Sequence, residues 1–511
     1  MPDLNIQNFQ NLLHTTLRQT FGLQEFRGIQ QEAIHTLMTK GRLLCILPTG
    51  YGKSLLYQLP ASLLDGITIV ISPLLALMRD QIDQLNHRFK ISAMAINSDQ
   101  SEEENHGARQ AAAQGRVKIL FVAPEQLDHV DRFNFLLNLN VKLVVVDEAH
   151  CISTWGHDFR PSYRQILQFL HALHANKRDI KMLGLTATAN KRVEEDIHKQ
   201  LFFSGQEAVV IRQPLNRPNI HLSVLKTKGI SQKLAACEDL LRNLDGCGLI
   251  YCATRENTEL VAHYLQEQGL NVTSYHAGYE MEAKRLLQKK FVSDKYKALA
   301  ATNALGMGID KGNLRFIIHF DFPGSITAYY QEVGRCGRDG EKADGIILYD
   351  SSDQNIHEYF IHSALPTPFD FQNILEAVAK ADQPPGLTTI KTITGLHPTR
   401  ATIVIAELIE QGFLTKYSLN GKQVYKVLQK KGIPDLSRYR NQEEVKSHEL
   451  KQMLNYGEQL ENCRMASLRK FLGDEHPENC QHCDCCLKRN TEISISSERI
   501  ASINTWLNKL L

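Results

Sequence analysis

The stretch Leu43-Leu44-Cys45-Ile46-Leu47-Pro48-Thr49-Gly50-Tyr51-Gly52-Lys53-Ser54 decides the fold. A short, continuous apolar run suits a parallel strand buried on both faces, and the turn at its end leads into a helical run. Backbone N–H groups of such a turn, with the helix N-terminus behind them, can wrap phosphate oxygens. Lys53 then supplies a point charge and Ser54 a hydroxyl for Mg2+. The full phosphate-loop pattern wants a glycine where Leu47 stands, so the loop alone is an incomplete match.

Working outward, the same rhythm continues. The runs ITIVISP (67–73), ISAMAIN (91–97), KILFVAP (118–124), KLVVVDE (142–148) and IKMLGLTAT (180–188) are apolar, short and separated by helical stretches. A second series follows: GCGLIYCAT (246–254), NVTSYHA (271–277), YKALAAT (296–302), RFIIHFD (315–321) and GIILYD (345–350). Strands alternating with crossover helices make an α/β fold class with two tandem parallel-sheet lobes. The linker Arg212-Gln213-Pro214-Leu215-Asn216-Arg217-Pro218 divides them.

After Asp350 the pattern changes. Thr388–Ile393 and Arg400–Glu410 read as helices, and Phe413–Leu419 and Gln423–Leu428 flank Asn420-Gly421, a strong hairpin signal. Two helices and a two-stranded wing suggest a winged helix. The expected organisation is a first lobe over 1–208, a second over 209–350, a helical linker and winged-helix-like domain over 351–442, a zinc-binding subdomain over 443–490 and a helical tail over 491–511.

With 511 residues, 43% hydrophobic and 22% charged, the chain resembles an ordinary multi-domain protein. A net charge of +2 gives no whole-protein basic field, so any nucleic-acid binding must come from local patches. The opening MPDLNIQNFQNLLHTTLRQTFG lacks the apolar core of a signal peptide. No run approaches the roughly 20 apolar residues that span a bilayer. The expectation is a cytoplasmic protein with no membrane partner, nucleoid-associated if bacterial.

Three further segments belong with the phosphate loop. The strand Lys142–Val146 delivers Asp147-Glu148 at its end, where one carboxylate can hold Mg2+ and a second can direct the attacking water. Asp147 takes the first role and Glu148 the second. Nearly three hundred residues after Lys53, Arg335 and Arg338 lie three apart in Gln331–Arg338, able to embrace the β- and γ-phosphates of ATP from the other lobe. That places the nucleotide in a cleft between lobes. Gln30, in Glu25–Gln30, carries an amide suited to reading an adenine edge.

These residues resemble the RecQ-type ATP-dependent DNA helicases of superfamily 2 over roughly 15–350 and again over 445–486. The resemblance implies two RecA-like motor lobes. Arg27 and Gln30 resemble the adenine-reading segment; Thr49, Gly50, Gly52, Lys53 and Ser54 resemble the phosphate loop, with Tyr51 where a glycine is usual. Ser72–Gln81 and Pro124-Glu125 resemble segments that meet DNA backbone, Asp147–His150 the D-E-A-H box, and Leu185–Ala189 a coupling strand end. Cys151–Tyr163 is similar to the aromatic-rich loop that distinguishes this family. Trp155 and Phe159 offer flat faces for bases, Arg160 can pair with phosphate, and His157 can relay the state of Glu148. In the second lobe Thr254, Arg255, His276 and Thr302 look like nucleic-acid-binding or coupling positions. Gly306 and Asp310, in Ala301–Lys311, resemble the segment that couples to ATP, with Leu305 replacing the familiar phenylalanine.

Of the eleven cysteines, five crowd into 463–486. Cys463, Cys480, Cys483 and Cys486 give C-x16-C-x2-C-x2-C, a spacing that can wrap a tetrahedral Zn2+. A disulfide knot and an iron–sulfur cluster are the alternatives. The resemblance favours zinc, with Cys485 as bystander. It also exposes a departure, because the winged-helix-like segment precedes the zinc ligands and the family's small C-terminal helical DNA-binding domain is absent. The strand-separating element is therefore placed on the Tyr417–Tyr425 hairpin, with Tyr417 stacking on the terminal base pair and Lys416 and Lys422 meeting phosphate.

The resemblance implies a 3′-to-5′ DNA helicase working on single-stranded and tailed or forked duplex DNA, with ATP, Mg2+ and Zn2+ as cofactors, in repair or recombination. A translocase on duplex DNA or RNA without unwinding shares every motor motif. A catalytically silent DNA-binding scaffold is the other competitor.

Overall fold

The computed structural model describes residues 6–153, 162–176, 180–202, 208–305, 311–419, 422–428, 432–489 and 491–510. Among them the strands β1 (Arg42–Ile46), β2 (Ile67–Ile71), β3 (Ala93–Ile96), β4 (Ile119–Val122), β5 (Val141–Val146), β6 (Lys181–Thr186) and β7 (Val209–Arg212) form one sheet in the order β3-β4-β2-β5-β6-β1-β7. All its pairs are parallel. A second parallel sheet, β10-β11-β9-β12-β13-β8, is built from β8 (Ile220–Lys226), β9 (Cys247–Tyr251), β10 (Val272–Tyr275), β11 (Ala298–Ala301), β12 (Leu314–His319) and β13 (Ala343–Tyr349). Helices cover both faces, so central strands such as β2, β4 and β9 are buried at every residue.

Two edge strands depart from the sequence expectation. β7 pairs with β1 from Leu43↔Val209 to Ile46↔Arg212, so the boundary expected at 208/209 falls after Arg212. β8 alternates buried and half-exposed positions, a pattern the search for continuous apolar runs passes over. Both strands lie at sheet edges, where one face is less covered and apolar continuity is not required.

The winged module is as expected and gains a helix. Pro368–Ala379 joins Leu387–Thr394, Pro398–Glu410 and the antiparallel hairpin β14 (Leu414–Leu419) and β15 (Lys422–Val427). Phe371, Ile374, Ile390, Val404, Leu408 and Tyr425 belong to a core of its own. The flanking helices Gln354–Ala364 and Ser437–Glu458 pack on each other, so the module is an insertion at the tip of a helical pair.

The chain then returns to the second lobe. Asp484 N–H donates to Leu222 O (3.1 Å) and Lys226 N–H to Thr491 O (2.7 Å), running the C-terminal segment along the open edge of β8. The helix Ser497–Leu510 caps the helix Gly229–Asn243, with Arg499 donating to Glu238 (2.9 Å) and Asp239 (2.8 Å). No helix among the described residues is long and apolar enough to cross a membrane.

Candidate nucleotide cleft, nucleic-acid surface and metal centre

The loop after β1 turns through Gly50 and Gly52, with φ of +79° and +80°, a region where a side chain is strained. Gln30 fixes this loop from behind. Its Nε2 donates to Tyr51 O (3.1 Å) and Gly52 O (3.2 Å), its Oε1 accepts from Arg27 N–H (2.9 Å), and it is 3% exposed. The Tyr51 hydroxyl accepts from Ile29 N–H (3.1 Å), so the residue standing where a glycine is usual ties loop to flap. Gln30 thus spends its amide on the loop backbone. Ser54 immediately precedes the helix Leu55–Leu63, whose first N–H groups donate to the loop's own carbonyls, Leu55 to Gly52 O (3.2 Å) and Leu56 to Lys53 O (3.1 Å).

β5 presents Asp147 below this loop. Ser72 Oγ donates to its carboxylate (3.1 Å) and the Tyr163 hydroxyl to its carbonyl (3.2 Å). Burial, then the charge of Glu148, pushes the Asp147 carboxyl up to about 6, with Lys53 pulling the other way. Such a carboxylate is short of a cation, the condition a Mg2+ ligand meets. Glu148 has φ +49° and ψ +47°, left-handed for a residue with a side chain, a strain of the kind that gathers at functional sites. Its carboxylate lies 3.3 Å from His150 Nδ1, which is 3.0 Å from Thr186 Oγ1. The Thr186 hydroxyl donates to Thr188 O (3.0 Å), so its oxygen is placed to accept a hydrogen bond from the His150 ring.

The second lobe completes the cleft. Gln331 Nε2 donates to Thr188 Oγ1 (3.1 Å) and Thr49 Oγ1 donates to Gly334 O (3.0 Å), so the arginine segment touches both the phosphate loop and the end of the Glu148 chain. The side chain of Arg338 lies against Gly50, its Cγ 3.3 Å from where a Cβ would stand. Arg335 stands beside Tyr251, whose hydroxyl burial pushes up to about 12 while Arg335 and Arg338 pull it down. Arg217 is a member the sequence reading missed. It is 8% exposed and donates to Gly334 O (2.8 Å), Cys336 O (2.8 Å) and Gly337 O (3.0 Å), clamping the turn that carries both arginines. Its setting in the interlobe linker, next to Pro218, was the available signal.

Past the C-terminal ends of β9 and β11, Thr254 caps the helix Arg255–Glu267 by accepting from Asn257 N–H (3.1 Å), Arg255 is exposed, and Thr302 is half-buried. His276 is enclosed in its turn. It is 5% exposed, Nε2 donates to Glu259 (2.9 Å), Nδ1 accepts from Gly278 N–H (3.2 Å) and the ring stacks on Tyr279 at 4.3 Å. It shapes the turn from inside, with both nitrogens engaged. Trp155, His157, Phe159, Arg160, Gly306 and Asp310 lie outside the described residues.

The hairpin divides the residues expected to meet DNA. Lys416 pairs with Tyr425, Tyr417 with Val424 and Leu419 with Lys422, so alternation puts Lys416 on one face and Tyr417 and Lys422 on the other. Lys416 donates to Asp128 O of the first lobe (2.7 Å), which corrects its assignment to phosphate.

The sulfur atoms of Cys463, Cys480, Cys483 and Cys486 all lie within 4.8 Å of one another. Cys463 Sγ accepts from Cys480 N–H (3.1 Å) and Cys483 Sγ from Arg464 and Cys486 N–H (3.4 Å each). Four converging sulfurs with amide donors behind them fit a tetrahedral zinc site. Cys485 stays outside the cluster. Beneath it, fully buried Arg464 pairs with Asp484 (3.0 Å), whose other oxygen accepts from Val224 N–H of β8 (2.9 Å).

Comparison with known proteins agrees with this geometry. Residues 27–197 match the DEAD/DEAH box helicase model, 232–340 the helicase conserved C-terminal domain and 422–487 the RecQ zinc-binding model. The chain is 32% identical over 507 residues to the probable ATP-dependent DNA helicase RecS of Bacillus subtilis (strain 168), covering 98% of this chain and 97% of that protein. It is 38% identical over 350 residues to the ATP-dependent DNA helicase RecQ of the same organism, covering 68% of this chain and 58% of the relative. For the RecQ of Haemophilus influenzae the figures are 38% over 343 residues, 66% and 53%, so the chain spans little more than half of these two relatives. Among solved structures, Mycobacterium smegmatis helicase Lhr bound to ssDNA and AMP-PNP superposes with a TM-score of 0.56 at 18% identity, covering 88% of this chain and 62% of that one. Helicase MrfA bound to DNA gives 0.56 at 20%, covering 86% and 64%. At such identities the likeness concerns the fold.

Proposed function

The chain belongs to the RecQ-type family of superfamily 2 helicases, and from that premise we propose that it couples Mg-ATP hydrolysis to 3′-to-5′ movement on single-stranded DNA and to duplex unwinding. The observation that carries the reading is the contact between Thr49 and Gly334, which brings Arg338 of one lobe against the phosphate loop of the other.

In this reading Lys53 and the loop N–H groups hold the β- and γ-phosphates, and Ser54 and Asp147 hold Mg2+. The ion supplies Lewis-acid stabilisation of the charge that develops on the transferred phosphoryl group. Glu148 orients the attacking water, and His150, Thr186, Thr188 and Gln331 carry its position to the second lobe. Arg338 stabilises the transferred charge, which only a closed cleft permits. Thr254, Arg255 and Thr302, with Ser72–Gln81 opposite, grip the DNA backbone alternately as the cleft opens and closes. Trp155 and Phe159 stack on bases, and Arg160 and His157 link them to the hydrolysis site. The polarity and a role in repair or recombination rest on the family resemblance and on the relatives' names as ATP-dependent DNA helicases.

Strand displacement on 3′-tailed, 5′-tailed and RNA duplexes tests the proposal. ATP-dependent displacement of the 3′-tailed DNA alone is expected. Hydrolysis stimulated by nucleic acid without displacement of any duplex would instead indicate a translocase. Tyr417→Ala should slow unwinding about fivefold or more while leaving ATP turnover on single strands intact, if the ring stacks on the terminal base pair. Equal unwinding by that variant removes the hairpin from the role.

Mg2+ binding should depend on pH with a defined sign. Because the metal-free Asp147 carboxyl sits at about 6, the ion must displace a proton below that pH. The affinity for Mg-nucleotide, measured by calorimetry, is expected to fall towards tenfold per pH unit below about 6 and to flatten above it. Asp147→Asn should bind weakly at every pH, without that slope.

A further inference from the structure

The winged module is attached to the second lobe and rests on the first. Its two tethers leave and return through the paired helices Gln354–Ala364 and Ser437–Glu458, and its core is separate from those of the lobes. Its hairpin reaches the first lobe through Lys416, whose ammonium donates to Asp128 O at 2.7 Å and stands 3.8 Å from the Asp128 carboxylate. Lys416 is 17% exposed, too enclosed to serve as a solvated surface charge. Asp128 ends the turn Pro124–Asp128, at whose start stand Pro124 and Glu125, the pair that resembles a DNA-backbone contact.

The pleat gives this contact a direction. With Lys416 held on one face of the hairpin, Tyr417, Lys422 and Lys426 are turned to the other, where Lys422 and Lys426 are exposed. Leu414 and Tyr425, on the same face as Lys416, are buried in the module's own core, so the module fixes the pleat and the Lys416 contact joins it to the first lobe. Glu125 adds a second carboxylate near Asp128, and His129, itself near Arg132, Glu102 and Asp131, lies near Lys416. Burial raises the Asp128 carboxyl to about 6 and Lys416 opposes it, as expected of two charges that share an enclosed contact.

We propose that Lys416 and Asp128 are positioning residues that lock the hairpin to the first lobe, so that closure of the ATP cleft sweeps its outer face relative to the zinc-bearing platform on the second lobe. This rests on the helicase reading. Lys416 acts through the hairpin and does not touch DNA. The contact converts a relative movement of the lobes into a movement of the hairpin against the duplex.

Charge substitutions separate this role from DNA binding. Asp128→Lys adds a positive charge beside the hairpin, so a lysine that gripped phosphate would be helped by it, whereas a positioning contact is broken. Lys416→Glu and Asp128→Lys should each lower the base pairs unwound per ATP about tenfold, with single-strand-stimulated ATP turnover kept within about twofold. Lys416→Arg, which preserves donor and charge, should keep the coupling, and the double variant Lys416→Glu/Asp128→Lys should recover much of it. Dyes on the first lobe and the hairpin, read without DNA, should report one distance in the unmodified chain and a broadened or longer one in either single variant. Unchanged distance and coupling in both single variants would overturn the proposal, as would improved unwinding by Asp128→Lys. If the unmodified protein unwinds no tailed duplex, the helicase reading fails, while the dye distance still decides whether the contact holds the hairpin.

Discussion

Replacing Lys53 by alanine is expected to reduce ATP hydrolysis about a hundred- to thousandfold, the scale of losing one preorganised charge at a phosphoryl-transfer site. The size follows from where the residue stands. The loop glycines are held at positive φ by a turn that Gln30 fixes from behind, so other donors cannot shift to replace the ammonium. The loss should fall on turnover, since Lys53 stands in the phosphate loop and none of the residues proposed to meet DNA lies in that loop. Steady-state hydrolysis with saturating single-stranded DNA, beside direct DNA binding at fixed salt, makes the check. Turnover near that of the unmodified enzyme would move the nucleotide elsewhere. Loss of DNA binding in parallel would point to unfolding.

Substitution of Cys483 by serine, or chelation of the four-cysteine cluster, is expected to unfold the C-terminal segment. Structural zinc sites contribute on the order of 10 kcal/mol to the folding of small domains. Here the segment also covers the edge of β8 through Leu222, Val224 and Lys226, so its loss uncovers the second lobe. The same unfolding would take apart the buried pair of Arg464 and Asp484, both of which belong to that segment. Metal analysis should find one zinc per chain, and Cys483→Ser should lower Tm by more than about 10 °C or leave the protein insoluble. Cys485→Ser should keep both metal and Tm. A Cys483→Ser protein with full zinc and unchanged melting would show that the cluster is held by other ligands.

The contrast between these sites explains how much was legible in the sequence. The phosphate loop, Asp147-Glu148 and the three closely spaced cysteines could be read because their chemistry is carried by residues a few positions apart. Their geometry is set by one turn or one strand end. The winged module was readable for the same reason, its hairpin being announced by Asn420-Gly421 between alternating strands. β7 and β8 escaped because edge strands need not be continuously apolar. Arg217 escaped because its acceptors are carbonyls of residues 334–337, more than a hundred positions away, which no side-chain pattern advertises.

The sequence by itself determined two α/β lobes, a phosphate loop with its carboxylates, a distant arginine pair and a cysteine set spaced for a tetrahedral ion. It did so because periodicity and short spacings are local. Only the tertiary structure decided that Arg338 lies against Gly50 of the loop, that His276 is engaged on both nitrogens, and that Lys416 faces the first lobe. Those outcomes depend on which surfaces dock and on which face of a strand is turned inward. Docking and facing are properties of the packed chain, fixed by residues hundreds of positions apart.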